Sequence, residues 1–332
     1  LSFRGVTVIY GRPGTGKTTL GMRIAFERSL RGEKVLWVSL NEDKETFLKN
    51  ASALGYDLRE MAFWDMIFVK ADVMMNQIVS TVTQEEYHLI VIDTISALLG
   101  GLTPPPTGEF LPREFIINAV YRVFKPSNMD LLALAEEESL TPLDYIADNL
   151  IRLELIIEDN ARERRLYLMK SRGRPAGYHV EFDILEGHGL VFIDELPKPR
   201  PKGSWETWVD AISDGVGPVR GGNFYLLVGR GLMPILVKTT AELSQQGYKV
   251  LYRSFKHDRE ALEALIKKHG GKAVVQKVMP KPHSNFLHMK NLYDTLSTID
   301  VDVVISDGID VEFYLYGGKA LEINMTEIRE LK

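Results

Sequence analysis

A chain of 332 residues, 45% hydrophobic and 26% charged, is long enough for two globular domains with a core each. Its formal net charge of −5 argues against whole-surface attraction to nucleic acid or anionic membranes, and no apolar run is long enough to span a bilayer. The absence of cysteine excludes disulfides, thiolate catalysis and thiolate metal sites, and fits a reducing cytoplasm.

Strand-forming sequence begins almost at Leu1, so further residues are expected upstream. Gly5–Tyr10 (GVTVIY) is short, apolar and β-branched and predicts a buried strand, followed by the glycine-rich turn Gly11–Gly16 and a helix over Lys17–Leu30. A second strand is predicted at Lys34–Leu40, a helix at Lys44–Leu54, a short strand at Ile67–Ala71 and a helix at Met74–Thr83. His88–Asp93 (HLIVID) predicts a buried strand that ends in a carboxylate. After it, Leu102–Pro112 is a proline-rich loop, Arg113–Phe124 a helix and Asp130–Ala135 a strand that runs into the acids Glu136, Glu137 and Glu138, expected to be a solvated strand end. Ile151–Ile157 and Arg165–Lys170 resemble an antiparallel pair, and Val180–Leu185 and Gly189–Ile193 short final strands. Strands alternating with helices predict a parallel sheet covered on both faces.

Leu196–Ser204 (LPKPRPKGS) has linker composition, which divides the chain into domains over 1–195 and 205–332. Trp205 and Trp208 are expected on a helix. The second half then echoes the first. Asn223–Val228 reads as a strand entering Gly229-Arg230-Gly231, Gly247–Tyr252 matches Gly32–Trp37, and Val301–Asp307 matches Tyr87–Asp93. The spacing reads as a duplicated unit, the other reading being the rhythm that any two α/β domains share.

Gly11-Arg12-Pro13-Gly14-Thr15-Gly16-Lys17-Thr18 fits G-x-x-x-x-G-K-[ST] without a gap, between a strand and a helix. Such glycines let backbone N–H groups face phosphate oxygens, and the helix start favours the same negative charge. A nucleoside triphosphate is therefore expected here, ATP with Mg²⁺, with Lys17 on the β- and γ-phosphates, the Thr18 hydroxyl on the metal and Thr19 in the first helical turn. Asp93 is the expected second metal ligand. Glu42, just past the second strand, is a candidate to orient the attacking water, the other reading being a solvated acid at a helix start. The histidines show no metal spacing, and Phe63 and Trp64 read as packing residues.

The loop, VSLNEDKETFLKNASALGYDL, HLIVIDTISALL and YIADNLIRLELIIEDNARERRLYLMKSRG together resemble KaiC-type ATPases of the RecA superfamily, over most of Val6–Phe192. The resemblance implies two tandem RecA-like P-loop domains of α/β class, with ATP hydrolysed at subunit interfaces of a homo-oligomer, commonly a hexameric ring. It places Glu42 where the family activates water, with Asn41 where the family has a further acid. It also implies that Lys170 or Arg172, in Lys170-Ser171-Arg172, reaches a neighbouring subunit's γ-phosphate. A basic surface turn near Arg162, Arg164 and Arg165 is the other reading.

The second domain is expected to be degenerate. Gly229-Arg230-Gly231-Leu232-Met233-Pro234 lacks the lysine, Lys238-Thr239-Thr240 falls too far along, and Asp307 is a relic or a turn residue. The chain is expected to work in the cytoplasm with a further protein partner, without nucleic acid or membrane insertion. A nucleotide-sensing assembly factor with little turnover is the alternative, and a DNA-repair ATPase the more distant one.

Overall fold

The computed structural model describes residues 3–325 apart from 68, 70, 98–123, 125–128, 137–141, 159–160, 197–202, 281–285 and 322. The proline-rich loop at Leu102–Pro112, nearly all of the helix expected at Arg113–Phe124, Glu137, Glu138 and most of the Leu196–Ser204 linker lie outside the described residues. The chain divides into two compact units, one of residues 1–156 and 163–193, the other of 157–162 and 194–332.

The first unit is built on one sheet. Its strands are β1 (Val6–Tyr10), β2 (Val35–Ser39), β3 (Ala62–Asp65), β4 (Leu89–Asp93), β5 (Asp130–Ala135), β6 (Asn149–Glu158), β7 (Ala161–Ser171), β8 (Tyr178–Leu185) and β9 (Gly189–Phe192). They lie in the order β3-β2-β4-β5-β1-β6-β7-β8-β9. The pairs from β3 through β6 are parallel, whereas β7–β8 and β8–β9 are antiparallel. The main helices are α1 (Lys17–Leu30), α2 (Lys44–Ala53) and α3 (Ala71–Gln84), with a short α4 (Pro142–Ile146).

Near-continuous apolar runs form these strands because both sheet faces are buried. Side chains alternate between two apolar layers. Val6, Val8, Leu36, Val38, Ile90, Ile92, Leu131 and Ala133 share one layer with Met74 and Ile78 of α3. Ile9, Val35, Trp37, Leu89, Val91, Leu132 and Leu134 share the other with Leu20 and Ile24 of α1 and Phe47 of α2. Phe63 and Trp64 of β3 pack against these layers, as expected of core residues. A buried ion pair, Arg28 to Asp130 at 2.7 Å, ties α1 to the start of β5, and the Gly5 N–H donates to Asp130 at 2.6 Å. The consequence for function is that β1, β2, β4 and β5 all end at one edge of the sheet, where loops meet in a crevice.

One strand of this unit lies elsewhere than its sequence suggests. The strand expected at Ile67–Ala71 lies at Ala62–Asp65, and Ala71 already begins α3. As the outermost strand, β3 is only half-buried, so AFWD carries no buried run to signal it.

The second unit contains an antiparallel pair, β10 (Glu206–Thr207) with β11 (Val219–Arg220), and a parallel three-stranded sheet. That sheet is β12 (Val250–Ser254), β13 (Val274–Lys277) and β14 (Val303–Asp307), in the order β13-β12-β14. Its helices are α5 (Ser213–Val216), α6 (Met233–Gln245), α7 (Arg259–Lys268), α8 (Phe286–Thr298) and α9 (Asp310–Tyr316). The order repeats β3-β2-β4, and so does the register: Ser39 is opposite Asp93, and Ser254 is opposite Asp307. The flanking bonds repeat as well. Leu40 N donates to Asp93 O at 2.7 Å and Phe255 N to Asp307 O at 2.9 Å, while Met66 N donates to Ser39 O and Val278 N to Ser254 O.

Two expectations fail here. Trp205 and Trp208 are not helical: Trp205 leads into β10 and stacks on Tyr248 with ring centroids 4.5 Å apart. Asn223–Val228 is not a strand either, because no neighbour in the three-stranded sheet pairs with it and Phe224, Leu226 and Val228 are exposed. The Lys238-Thr239-Thr240 step does fall within α6, where Lys238 faces Glu242 at 3.5 Å and both threonines are buried. Asp307 is buried and accepts from Ser254 Oγ at 3.2 Å.

Candidate functional site

The crevice is assembled from the ends of four parallel strands. From β1 the chain turns through Gly11, Arg12, Pro13, Gly14 and Thr15 into α1, with Arg12, Pro13 and Gly14 exposed and Thr15 and Lys17 buried. Gly16 is the N-cap at φ 104°, a left-handed conformation that a side chain resists, and a Cβ there would lie 2.9 Å from Ile184. No side chain caps α1 and its first turn holds no acid, so the positive end of the helix faces the crevice undiluted.

Three donors converge on one acceptor in this loop. Arg12 O receives the Thr15 N–H at 3.3 Å, the Thr15 hydroxyl at 2.9 Å and Lys17 Nζ at 3.2 Å. Lys17 Nζ also donates to Gly11 O at 2.8 Å. The ammonium is thus folded over the loop, where a phosphate oxygen would replace a carbonyl as its acceptor. Burial pulls its pKa below the ordinary lysine value, against the opposing pull of Glu136 and Asp93.

At the end of β4, Asp93 accepts from Thr18 Oγ1 at 2.8 Å, so the two expected metal ligands are in direct contact across 75 residues of sequence. A hydroxyl and a carboxylate are hard oxygen donors, the set that Mg²⁺ uses while keeping waters and phosphate oxygens as its other ligands. The residues present therefore fit Mg²⁺. Among the described residues no cluster of three His, Asp or Glu offers a protein-only metal cage.

Glu42 stands past β2 in a turn held by Ser39, whose Oγ accepts from Glu42 N at 3.1 Å and donates to Glu42 O at 2.6 Å. Its carboxylate accepts from Asn50 Nδ2 at 3.1 Å. Burial raises its pKa, and Asp43 adds to the rise while the Asn50 bond opposes it. Glu136, at the end of β5, acts electrostatically on both Lys17 and Asp93. It is exposed just past the strand, as a solvated strand end should be, and it also lies at the crevice. The signal that finds it is the pairing of β5 between β4 and β1.

Burial, partly offset by the Thr18 bond, holds Asp93 up at about 6. A carboxyl with a raised folded pKa stabilises the fold most below its unfolded value and progressively less as pH rises toward the folded one. From 3.8 to about 6 the contribution is lost, a change on the order of 3 kcal/mol. Without nucleotide or Mg²⁺, Asp93→Asn is therefore expected to raise the thermal midpoint at pH 7.5 and to give little gain near pH 4. A lower midpoint than wild type at pH 7.5 would contradict this.

Lys170 and Arg172 do not join the crevice of their own chain. They sit at the far end of β7, where Lys170 Nζ donates to Asp144 O at 2.9 Å and Tyr145 O at 3.1 Å. Arg172 Nε lies 3.4 Å from Asp148 Oδ1, and Asp148 Oδ2 accepts from Val6 N at the start of β1. β1 runs roughly 17 Å from there to the loop at about 3.3 Å per residue.

The family model for the KaiC ATPase matches residues 2–196, which includes every element of this crevice. The chain belongs to the KaiC ATPase family. This KaiC-family chain is 26% identical over 207 residues to the circadian clock protein KaiC2 of Synechocystis sp., covering 58% of this chain and 36% of that protein. It is 23% identical over 195 residues to the DNA repair protein RadA of Campylobacter jejuni, covering 58% of this chain and 42% of that one. The circadian clock oscillator protein KaiC of Parathermosynechococcus lividus is 19% identical over 190 residues, covering 50% of this chain and 34% of that one. The chain thus spans about a third to two-fifths of the length of these relatives. The two KaiC proteins and RadA place it with the RecA-superfamily ATPases. No helix among the described residues is long and apolar enough to cross a membrane.

Proposed function

We propose that this KaiC-family protein binds ATP with Mg²⁺ in the Gly11–Thr18 loop and hydrolyses it at the interfaces of a homo-oligomer. The observation that carries the reading is the meeting of Lys17, the Thr18–Asp93 pair and Glu42 at one sheet edge. Glu42 takes a proton from water as the water oxygen bonds to the γ-phosphorus. The bond from that phosphorus to the β–γ bridging oxygen breaks, and ADP leaves with the electron pair. Lys17 gives up its loop carbonyls for phosphate oxygens and offsets their charge. Thr18 and Asp93 would hold Mg²⁺, which when bound supplies Lewis-acid neutralisation of the β- and γ-phosphates.

Lys170 and Arg172 stand on the face away from their own loop, which suits delivery to a neighbour's γ-phosphate. In this reading the second unit is a RecA-type unit that has lost its phosphate loop and serves assembly or a partner protein. The repeated strand order and the Ser254–Asp307 register support it.

Steady-state ATP turnover measured beside oligomer size, with and without ATP-Mg²⁺, tests the whole reading. Absence of hydrolysis with nucleotide-dependent assembly would favour the sensing alternative. The role across the interface has its own test by mixing. Lys17→Ala chains and chains carrying Lys170→Ala with Arg172→Ala are each expected to be inactive. Random co-assembly should restore roughly a quarter of wild-type turnover, because one interface in four pairs an intact loop with an intact finger. Failure to regain activity in verified mixed assemblies would sink the role in trans.

A further inference from the structure

We propose that Arg164 of β7 is a positioning residue for the phosphate-binding loop, acting by holding the Gly14 carbonyl. The proposal rests on the triphosphate reading of that loop and adds a part to it. Arg164 Nη1 donates to Gly14 O at 2.8 Å across 150 residues of sequence. The guanidinium is buried, and its Nε lies 3.7 Å from the buried Asp183 carboxylate of β8. Asp183 is itself oriented, since its Oδ1 accepts the Ile184 N–H at 2.8 Å.

A planar trans peptide sets the direction of one residue's carbonyl opposite to the next residue's N–H. With Gly14 O drawn toward Arg164, the Thr15 N–H must face the other side of the loop. That is the side on which it meets Arg12 O beside Lys17 Nζ. Arg164 therefore aims a backbone donor at the place where a phosphate oxygen would be received. Gly14 has the greatest need of such a restraint. It is exposed at φ 82°, and apart from its chain neighbours no described atom lies within 4 Å of where its Cβ would be, so no packing steadies it on that side. The same ribbon of β7 and β8 supports the loop a second time through Ile184 and Phe182, which lie under Gly16. Arginine suits the task because one planar fork can serve a carboxylate and a carbonyl together.

The test compares wild type, Arg164→Lys, and Arg164→Met combined with Asp183→Asn. The double variant removes the Asp183 charge together with the cation beside it, so its thermal midpoint should stay close to wild type. ATP-Mg²⁺ affinity should nevertheless fall about 10- to 100-fold, the worth of one charge-assisted hydrogen bond. Amide hydrogen exchange over residues 11–18, measured without nucleotide, should accelerate in the double variant. Arg164→Lys, which keeps a cation beside Asp183 but lacks the fork, should show both effects in the same direction and serves alone if the double variant does not fold. Unchanged loop exchange together with affinity within twofold of wild type would overturn the proposal. If wild type itself fails to bind ATP, the triphosphate reading falls, while the exchange measurement still decides whether Arg164 orders the loop.

Discussion

Lys17→Ala is expected to lower ATP affinity by at least about a hundredfold, because it removes charge-assisted hydrogen bonds to phosphate worth roughly 1.5–3 kcal/mol each. The fold should survive the change. In the structure Lys17 Nζ binds only the loop's own carbonyls, Gly11 O and Arg12 O, and electrostatic partners hold it from a distance. Removing a buried ammonium also removes the desolvation cost of keeping it charged. The variant should therefore melt near the wild-type temperature or above it while losing nucleotide. Calorimetric titration with ATP-Mg²⁺ reads the first effect and thermal unfolding the second. Binding within a few-fold of wild type would overturn the central reading of the loop.

Glu42→Gln is expected to separate binding from chemistry. The amide retains an oxygen for Asn50 Nδ2, and the Ser39 turn is made by Glu42 backbone atoms, so the local structure should hold. What disappears is the proton acceptor. General-base contributions run to about 10²–10⁴ in rate, and kcat should fall within that range while KM changes little. Burial makes Glu42 a stronger base than a solvated glutamate, which places the loss toward the upper part of the range. Full turnover in the variant would remove Glu42 from the chemistry. Equal losses in binding and turnover would assign it to the architecture of the crevice instead.

Much of the first unit was legible because its signals are local. A strand, a glycine-rich turn and a helix follow one another without interruption from Val6 to Leu30, and α1 and β5 fall on their expected residues. Asp93 was visible as the polar end of an apolar run, but its contact with Thr18 depends on β4 and β1 sharing an edge with β5 between them. Glu136 reads as a solvated strand end, which it is, and Arg164 as part of a basic surface turn, whereas it is buried; the nearness of both to the loop depends on strand order in the same way. Spacing along the chain shows neither as a neighbour of the loop, because only strand order brings them there. The errors at Ile67–Ala71 and Asn223–Val228 have a different origin. Apolar, β-rich sequence marks a strand only if a neighbour is there to accept its hydrogen bonds. β3 is half-buried at an edge, and among the described residues Asn223–Val228 has no strand beside it.

That missing neighbour has a consequence for handling the protein. β4 lies between two strands and is buried along its whole length, whereas β14, its counterpart in register, is largely half-exposed. Among the described residues nothing pairs with the other side of Val303–Asp307, which offers a row of backbone groups beside valine and isoleucine and carries acids only at its two ends, Asp302 and Asp307. Solutions of the second unit on its own should therefore cloud at concentrations the first unit tolerates, and a lysine at Val304 should clear them.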